Sequence, residues 1–395
     1  MINRLVKIIV VFTFIFSSAP LFAQAKIPWW LSLEYGKQRF RASDFGAALI
    51  LFENARSDRR IMYEQMERDF IVFLSASEVR RIGDSLDILE RFSYDRLYTA
   101  ASAALEELFY RIPKNSFNNS ATAALEAFEK LKNYPEAEFW IGEVYRIEGE
   151  LPLALVQYRR ALSMRDIMED PGFVVTLQYK IASIHRTKGE FNEMERVLLS
   201  IVSENDTLWS DSNRATVSRI NEEGALPYAQ ASASFARTGM TTTLRTHGID
   251  RFLEMYRYND SIVEQAHRLL GFHYVVSGRP SAEPHLMFAF LIQNTTIIEE
   301  LRKRRFDFVF SDLPELIKEI GTNPLLLSYM DTVEYFKTAY YLGAGLFRNG
   351  YSAAALGLWD FLAGQPQAGE WHSRAVMQLR NPRQEPVIHR LNETP

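Results

Sequence analysis

The chain of 395 residues contains no cysteine. It therefore forms no disulfide, has no thiol nucleophile or cysteine-ligated zinc, and offers no cysteine for lipid attachment near its N-terminus. A large excess of either charge is also lacking, because the formal net charge is −4. This mildly acidic balance argues against a general nucleic-acid-binding protein. With 47% hydrophobic and 24% charged residues, the composition is that of a folded chain and excludes a disordered one.

The sequence also lacks the short motifs of common enzyme chemistry. It contains no phosphate-binding loop, no nucleophile elbow, no zinc-binding helix of the HExxH type and no glycine-rich dinucleotide motif. His267, His273 and His285 are not spaced to share one helix face, and we expect each to be partly exposed and hydrogen-bonded locally. The sequence thus predicts no catalytic residue, no metal site and no cofactor.

Long apolar runs are absent beyond the N-terminus, where a membrane-spanning helix would need about 18 apolar residues or more. Within residues 1–25, Arg4 and Lys7 precede a short apolar run, and Ala23 and Ala25 provide small residues for cleavage. This pattern predicts a secretory signal peptide that is cleaved after Ala25. The mature chain is then exported, and periplasmic in a bacterium. The alternative is an uncleaved anchor or a buried N-terminal helix.

What the sequence does contain is a helical pattern that repeats. In the stretch Pro135–Met168, Gly142 lies on the packing face of a first helix, and Ala154, Tyr158 and Ala161 recur at helical spacing on a second. Small residues allow two antiparallel helices to approach closely, and the tyrosine fills the space beside them. The stretch therefore predicts a helical hairpin.

Four other stretches repeat this spacing, at Ile27–Met62, Val175–Leu208, Glu264–Ile297 and Phe336–Gly369. In the third of these, Glu283 takes the place of the small residue, so this copy is degenerate. Together these residues resemble the tetratricopeptide repeat (TPR) family, whose unit is about 34 residues long. The resemblance implies an all-α fold, an α-solenoid of helical hairpins in two lobes, and a concave groove lined by first helices.

The resemblance divides the chain into five segments. Residues 63–134 are predicted to be helical, with helices at Met66–Leu74, Glu78–Phe92 and Tyr94–Tyr110, and are either two diverged copies or an unrelated insertion. Helices are also predicted at Thr295–Phe310 and Leu313–Ile320. The segments are a signal peptide at 1–25, an N-terminal TPR-like lobe at 26–208, an irregular connection of short helices at 209–263, a C-terminal TPR-like lobe at 264–380 ending in a helix at Trp371–Arg380, and a flexible tail at 381–395.

The groove that the resemblance implies contains side chains of two consecutive hairpins. Aromatic residues and arginines carry much of the binding energy at protein interfaces. The alternative is that Phe139 and Tyr179 pack between neighbouring hairpins. The predicted groove residues are Phe139, Glu143, Arg146, Tyr179, Ser183 and Arg186.

A second candidate surface is the densest charge run, formed by Arg302, Lys303, Arg304 and Arg305. This run could bind an anionic partner such as a phosphate, a polyanion or a lipid headgroup. The alternative is a solvated helix face on which Glu299 pairs with Lys303 and Glu300 with Arg304, because residues four apart are neighbours on a helix.

The predicted function is that of a periplasmic, non-catalytic scaffold or adaptor that binds a protein or peptide in its groove. No nucleic-acid partner is expected, and no membrane span is expected after cleavage of the signal. Two alternatives remain open: a cell-envelope enzyme on a helical scaffold, which would need two carboxylates facing one pocket, and a transporter-associated ligand-binding subunit, which would need a closed apolar cavity.

Overall fold

The computed structural model describes residues 27–75, 123, 125–205, 228–321 and 323–386. Within these residues the regular secondary structure is helical, so the predicted all-α class is confirmed. The expected signal peptide and the predicted helices Glu78–Phe92 and Tyr94–Tyr110 lie outside the described residues. The helices are α1 (Trp29–Arg41), α2 (Phe45–Ser75), α3 (Pro135–Ile147), α4 (Leu151–Ser163), α5 (Gly172–Thr187), α6 (Phe191–Asn205), α7 (Tyr228–Met255), α8 (Ser261–Val276), α9 (Ala282–Arg304), α10 (Leu313–Ile320), α11 (Pro324–Thr332), α12 (Tyr335–Arg348), α13 (Ser352–Ala363) and α14 (Glu370–Arg380).

The chain divides into two compact units between Leu177 and Gln178. This boundary lies inside α5, whereas the sequence predicts that the first lobe continues to residue 208. The first unit contains the hairpins α1–α2 and α3–α4. The second contains most of α5 and all helices from α6 to α14.

The hairpins of the first unit share one hydrophobic core. Trp29 and Leu33 of α1, Phe52 of α2 and Ile141 of α3 are buried together in it, along with Tyr134 just before α3. The Trp29 and Tyr134 rings meet edge to face, with their centroids 4.9 Å apart. This core joins the first predicted copy to the central one across residues 76–122, which the structure does not describe.

Helix α2 is longer than the sequence predicts. The pattern suggests a helix ending near Met62 and a second one over Met66–Leu74, but the structure has one continuous helix. Tyr63, Met66 and Phe70 are buried and extend the apolar face. Neither proline nor glycine interrupts the chain at this point, so nothing ends the helix.

The same turn closes each of five hairpins in the described part of the chain. After α3, Gly149 adopts φ 84°, and the Glu150 amide donates to the Tyr145 carbonyl at 2.8 Å. This is the αL ending that glycine favours, in which otherwise unpaired helix carbonyls gain donors. The equivalent left-handed residues of the other hairpins are Ser43, Gly189, Gly278 and Gly350.

Close helix contacts occur at the glycine seven positions before four of these turns. A Cβ on Gly142 would come within 2.7 Å of the Tyr158 ring, so the predicted contact between α3 and α4 is confirmed. A Cβ on Gly36 would meet Phe52 at 2.4 Å, and one on Gly343 would meet the Trp359 ring at 2.7 Å. The glycine and its bulky partner are sixteen residues apart in all three hairpins.

Two helices of the second unit differ from the sequence prediction, and a third agrees with it. Helix α9 runs without a break from Ala282 to Arg304, so there is no separate helix over Thr295–Phe310. Helix α7 is a long helix with one kink at Gly248, where φ is 79°, instead of several short helices. Helix α10 has the predicted bounds, and Asp312 caps it by accepting from the Glu315 amide at 2.8 Å.

The C-terminal segment is held against the second unit where it is described. The Tyr340 hydroxyl donates to the Glu385 carboxylate, and Arg374 donates to both of its oxygens, at 3.1 and 3.0 Å. The Arg383 amide donates to the Gln378 side chain at 2.8 Å. Residues 381–386 are therefore anchored, in contrast to the predicted flexible tail; residues 387–395 lie outside the described range.

Candidate partner-binding surfaces

The predicted groove residues of the first unit are largely occupied by internal contacts. Phe139 is 5% exposed and meets the Phe173 ring edge to face, with centroids 4.5 Å apart. Glu143 is also 5% exposed; it accepts hydrogen bonds from the Tyr158 hydroxyl and from Arg146, whose Nη2 lies 2.8 Å away. For Phe139 the structure shows the alternative, packing against the next helix, and corrects the expectation of an open position.

In the second unit, Tyr179 is likewise used internally. Its hydroxyl donates to the Ile262 carbonyl at 2.6 Å and accepts from the Ala266 amide at 3.0 Å. The phenol therefore bonds to the donor and the acceptor that would pair in a regular first turn of α8. Burial raises the pKa of Tyr179 above its ordinary value. Tyr179 thus anchors α8, and a partner has little access to its hydroxyl.

The remaining predicted groove residues do reach solvent. The Arg146 side chain is 36% exposed although it pairs with Glu143. Ser183 and Arg186 are exposed on α5. Because Arg146 and Arg186 each stand four residues after the small packing residue of their hairpin, they occupy equivalent positions in two repeats.

The basic run lies at the end of α9, and all four of its residues are exposed. Lys303 pairs with Glu300, three residues earlier, while Glu299 accepts from Asn259 at 2.7 Å. The two ion pairs predicted at a spacing of four are therefore replaced by a different arrangement. Arg305 already lies outside the helix, and its amide closes the last turn on the Leu301 carbonyl at 2.8 Å.

Beyond the helix, the chain forms a tight turn with an exposed aromatic tip. We call residues 302–310 the basic turn. Phe306 is 100% exposed and Val309 is 76% exposed, whereas Phe308 and Phe310 are each only 5% exposed. The sequence prediction missed this tip because it extended a helix to Phe310. The alternating aromatic spacing directly after the arginines is the signal that could have revealed it.

A cavity of about 370 Å³ lies beside α14 and the anchored C-terminal segment. Its lining combines an aromatic ring with several arginines and contains no carboxylate. Arg374 stacks over the Tyr340 ring, with 4.7 Å between its guanidinium carbon and the ring centroid. The lining residues are Tyr340, Arg374, Met377, Gln378, Arg380, Asn381 and Arg383.

The three histidines considered in the sequence, His267, His273 and His285, are buried, in contrast to the expectation of partial exposure. His267 is 0% exposed and His285 is 2% exposed, and their Nδ1 atoms lie 2.8 Å apart. His273 is also buried, and its ring stacks on Phe191 with centroids 5.6 Å apart. Within the described ranges, no group of three or more histidine, aspartate or glutamate side chains is placed to hold a metal ion.

A buried polar network joins α8, α9 and the start of α12. Glu264 accepts from Arg268 at 2.9 Å and from Gln293 at 2.6 Å, and Arg268 also bonds to Glu334 at its other end. Burial raises the pKa of Glu264. The Gln293 amide also donates to the Val333 carbonyl at 3.0 Å. Each of these hydrogen bonds joins two groups of the protein itself, so we interpret the network as stabilising the fold.

No helix in the part of the chain that the structure describes is long and apolar enough to cross a membrane. No protein-family description matches the sequence. The chain is 26% identical over 359 residues to an uncharacterized protein of Treponema pallidum (strain Nichols), and the match covers 89% of each protein. The similarity therefore extends through most of both compact units and is not confined to one hairpin.

Proposed function

We propose that the chain is an exported, non-catalytic scaffold of TPR-like hairpins that binds another protein or peptide. The observation that supports this is the recurrence of one geometry, in which a small packing residue precedes a left-handed turn residue by seven positions in five hairpins. Repeated helical hairpins of this kind present equivalent side chains to a partner along stacked first helices.

The proposed contact residues are the predicted ones that reach solvent. In the second unit these are Ser183 and Arg186, one turn apart on α5. In the first unit, Arg146 occupies the hairpin position equivalent to that of Arg186. Arginine is enriched among residues that dominate interface energies, because its planar guanidinium both stacks and donates several hydrogen bonds. Phe139 and Tyr179 are not part of this proposal, since both are engaged inside their own units.

The alternative of a cell-envelope glycosidase depends on two carboxylates that face one cavity. The cavity beside α14 has arginines and no carboxylate in its lining, so it gives that alternative no support. The alternative of a transporter-associated subunit depends on an enclosed apolar cavity. Three arginines among the seven lining residues make this cavity a poor match for that requirement as well.

Site-specific photo-crosslinking tests the scaffold proposal. A photoreactive amino acid placed at Ser183 or Arg186 should capture a defined protein from a cell-envelope extract of the source organism. The control is the same amino acid at Arg196, an exposed arginine on the second helix of the same hairpin, whose side chain is 72% exposed. Identical products from both faces of the hairpin, or none from α5, would count against the proposal.

A further inference from the structure

The basic turn places one phenylalanine fully in solvent at the end of α9. The Phe308 amide donates to the Arg305 carbonyl at 3.0 Å, so Phe306 and Asp307 form the tip of a closed turn. Phe306 is 100% exposed and Val309 is 76% exposed. Such exposure of a large aromatic side chain is unfavourable in water, and it signals an interaction surface when other features support one.

The turn is braced from behind, so the exposed tip is a fixed feature of the surface. Phe308 and Phe310 are buried and anchor the turn to the rest of the second unit. Arg302 Nε donates to the Phe308 carbonyl at 3.3 Å, and the Arg305 guanidinium carbon lies 5.1 Å from the centre of the Phe308 ring. The inward-facing aromatics thereby hold Phe306 outward.

Several cations surround the tip. Lys303 pairs with Glu300, and Arg305 reaches Glu319 at 3.4 Å and Asp307 of the tip itself at 3.9 Å, but Arg304 forms no ion pair within the described residues. Arg257 also stands close by: burial and the neighbouring Arg302 lower its pKa. A cluster in which cations crowd one another offers favourable sites for an anionic surface.

We propose that the basic turn docks on an anionic phospholipid bilayer, with Phe306 and Val309 entering the headgroup region and the surrounding cations contacting lipid phosphates. Phenylalanine is among the apolar residues that interfacial protein segments bury at the headgroup boundary, and clustered arginines and lysines are attracted to anionic leaflets. A protein partner would have to supply a pocket for a single projecting ring, whereas a bilayer accepts it anywhere. This inference is independent of the scaffold proposal, because it uses a different surface and a different class of partner.

The absence of native cysteine allows a direct test in the full chain. A fluorophore on Phe306→Cys should become shielded from an aqueous quencher when vesicles of phosphatidylcholine and phosphatidylglycerol are added. The same fluorophore on Ala353→Cys, an exposed position on α13, should stay accessible. Vesicles of phosphatidylcholine alone should shield neither position. A label at position 306 that stays accessible on the anionic vesicles would overturn the proposal.

Vesicle flotation of unlabelled variants provides the second measurement. Phe306→Ser should lower the vesicle partition coefficient by about tenfold, the effect of removing one buried phenylalanine from an interface. Lys303→Gln with Arg304→Gln should lower it by about twenty-five-fold, since each cation near an anionic surface contributes about fivefold. The matched control Lys318→Gln, an exposed lysine on α10, should bind like the parent chain. Residues 1–25 are common to all variants, so vesicle binding through them is a shared background, measured on phosphatidylcholine vesicles, that is subtracted before the ratios are taken.

Two results would contradict membrane docking. One is equal vesicle binding by Phe306→Ser and the parent chain. The other is binding of soluble polyphosphate or of a protein through the same arginines without any vesicle binding, which would reassign the surface to a different class of partner. Because Phe306 is fully exposed, Phe306→Ser should keep the parent melting temperature, so any loss of binding is not a loss of folding.

Discussion

The hydroxyl of Tyr158 donates a hydrogen bond to the carboxylate of Glu143, across the contact between α3 and α4. The same tyrosine ring fills the space beside Gly142, where a Cβ would come within 2.7 Å. Arg146 binds the other side of the carboxylate, with Nη2 at 2.8 Å. One tyrosine therefore closes the hairpin and also holds a carboxylate that the sequence assigns to the groove.

Tyr158→Phe keeps the ring and removes this hydrogen bond. We expect the free energy of unfolding to fall by about 1.5–3 kcal/mol, because a hydrogen bond to a buried charged group is lost. Urea denaturation measures the change. The control is Tyr145→Phe, on the same hairpin, whose hydroxyl forms no hydrogen bond within the described residues. If both variants unfold at the same midpoint as the parent, the bond does not contribute to stability.

Gly142→Ala tests the close approach of α3 and α4. The added Cβ would clash with a tyrosine ring and with Gln157, so we expect a loss of about 1–3 kcal/mol from overpacking. Gly357→Ala is the matched control, because Gly357 lies inside α13 and an added Cβ there meets nothing within 4 Å. That control should gain about 0.5–1 kcal/mol from helix propensity. Equal melting temperatures for both variants would contradict the packing described for Gly142.

The hairpins were predictable because their determinants are local. Gly142 and Tyr158 are sixteen residues apart, and the glycine of the turn lies between them, so one short stretch contains the whole contact. Groove exposure depends on distant residues instead. The hydrogen bonds that occupy the Tyr179 hydroxyl come from Ile262 and Ala266, which no spacing within α5 reveals. The sequence therefore predicted the helical hairpins well, but it predicted poorly which of their residues are open to solvent.

The sequence also predicted the lengths of some helices poorly. A repeat pattern marks where two helices touch, but a helix continues until a residue or a cap ends it. Helix α9 continues past the expected end near Ile297 because Ile298 and Leu301 remain buried. The proposed membrane-docking surface depends on this extra length, because the helix end sets the position of the basic turn and of Phe306 at its tip.

Buried tyrosines predict a loss of stability at alkaline pH. Burial, together with the Glu385 hydrogen bond, raises the pKa of Tyr340 to about 12, and burial raises the pKa of Tyr329 to about 12, from an ordinary value of 10.0. Below about pH 10 both groups are protonated in the folded and unfolded states, so they make no pH-dependent contribution. Above that value the unfolded chain loses protons first, and the stability falls as the pH rises towards 12.

Thermal unfolding measured at several values between about pH 8 and pH 11 checks this expectation, with the midpoint falling only in the upper part of the range. Tyr340→Phe should show a shallower fall than the parent chain, because one group with a raised pKa is removed. A titration followed by phenolate absorbance could contradict this prediction. If all tyrosines titrate near pH 10 while the chain stays folded, burial does not raise the pKa of these two hydroxyls.

The predicted export specifies the N-terminal residue of the mature chain. If a signal peptidase cuts after Ala25, the mature chain begins at Lys26. Mass spectrometry of the protein recovered from a periplasmic fraction should show this N-terminus. Ala23→Asp with Ala25→Asp should block cleavage and leave precursor in the membrane fraction. Recovery of an uncleaved chain from the cytoplasm would contradict the assignment.

Glu283 shows how a departure from the repeat pattern is accommodated. It replaces the small residue of its hairpin and is 0% exposed. Arg245 donates to both carboxylate oxygens, at 2.6 and 3.1 Å, and Asn349 donates at 2.6 Å. The arginine comes from α7, within the segment 209–263 that the sequence treated as an interruption of the repeats. The apparent interruption therefore supplies the charge that the degenerate copy requires.

Arg245→Met removes that partner and leaves Glu283 buried with Asn349 alone. We expect a loss of about 3 kcal/mol, near the lower end for a broken buried pair, because the Arg245 side chain is itself 30% exposed. Adding Glu283→Ala to the same chain restores the small residue of the other hairpins and removes the uncompensated charge. The double variant should then be more stable than Arg245→Met alone when urea midpoints are compared. A double variant that is as unstable as the single one would show that Arg245 acts through its stacking on Tyr351, 4.3 Å away, and not through the carboxylate.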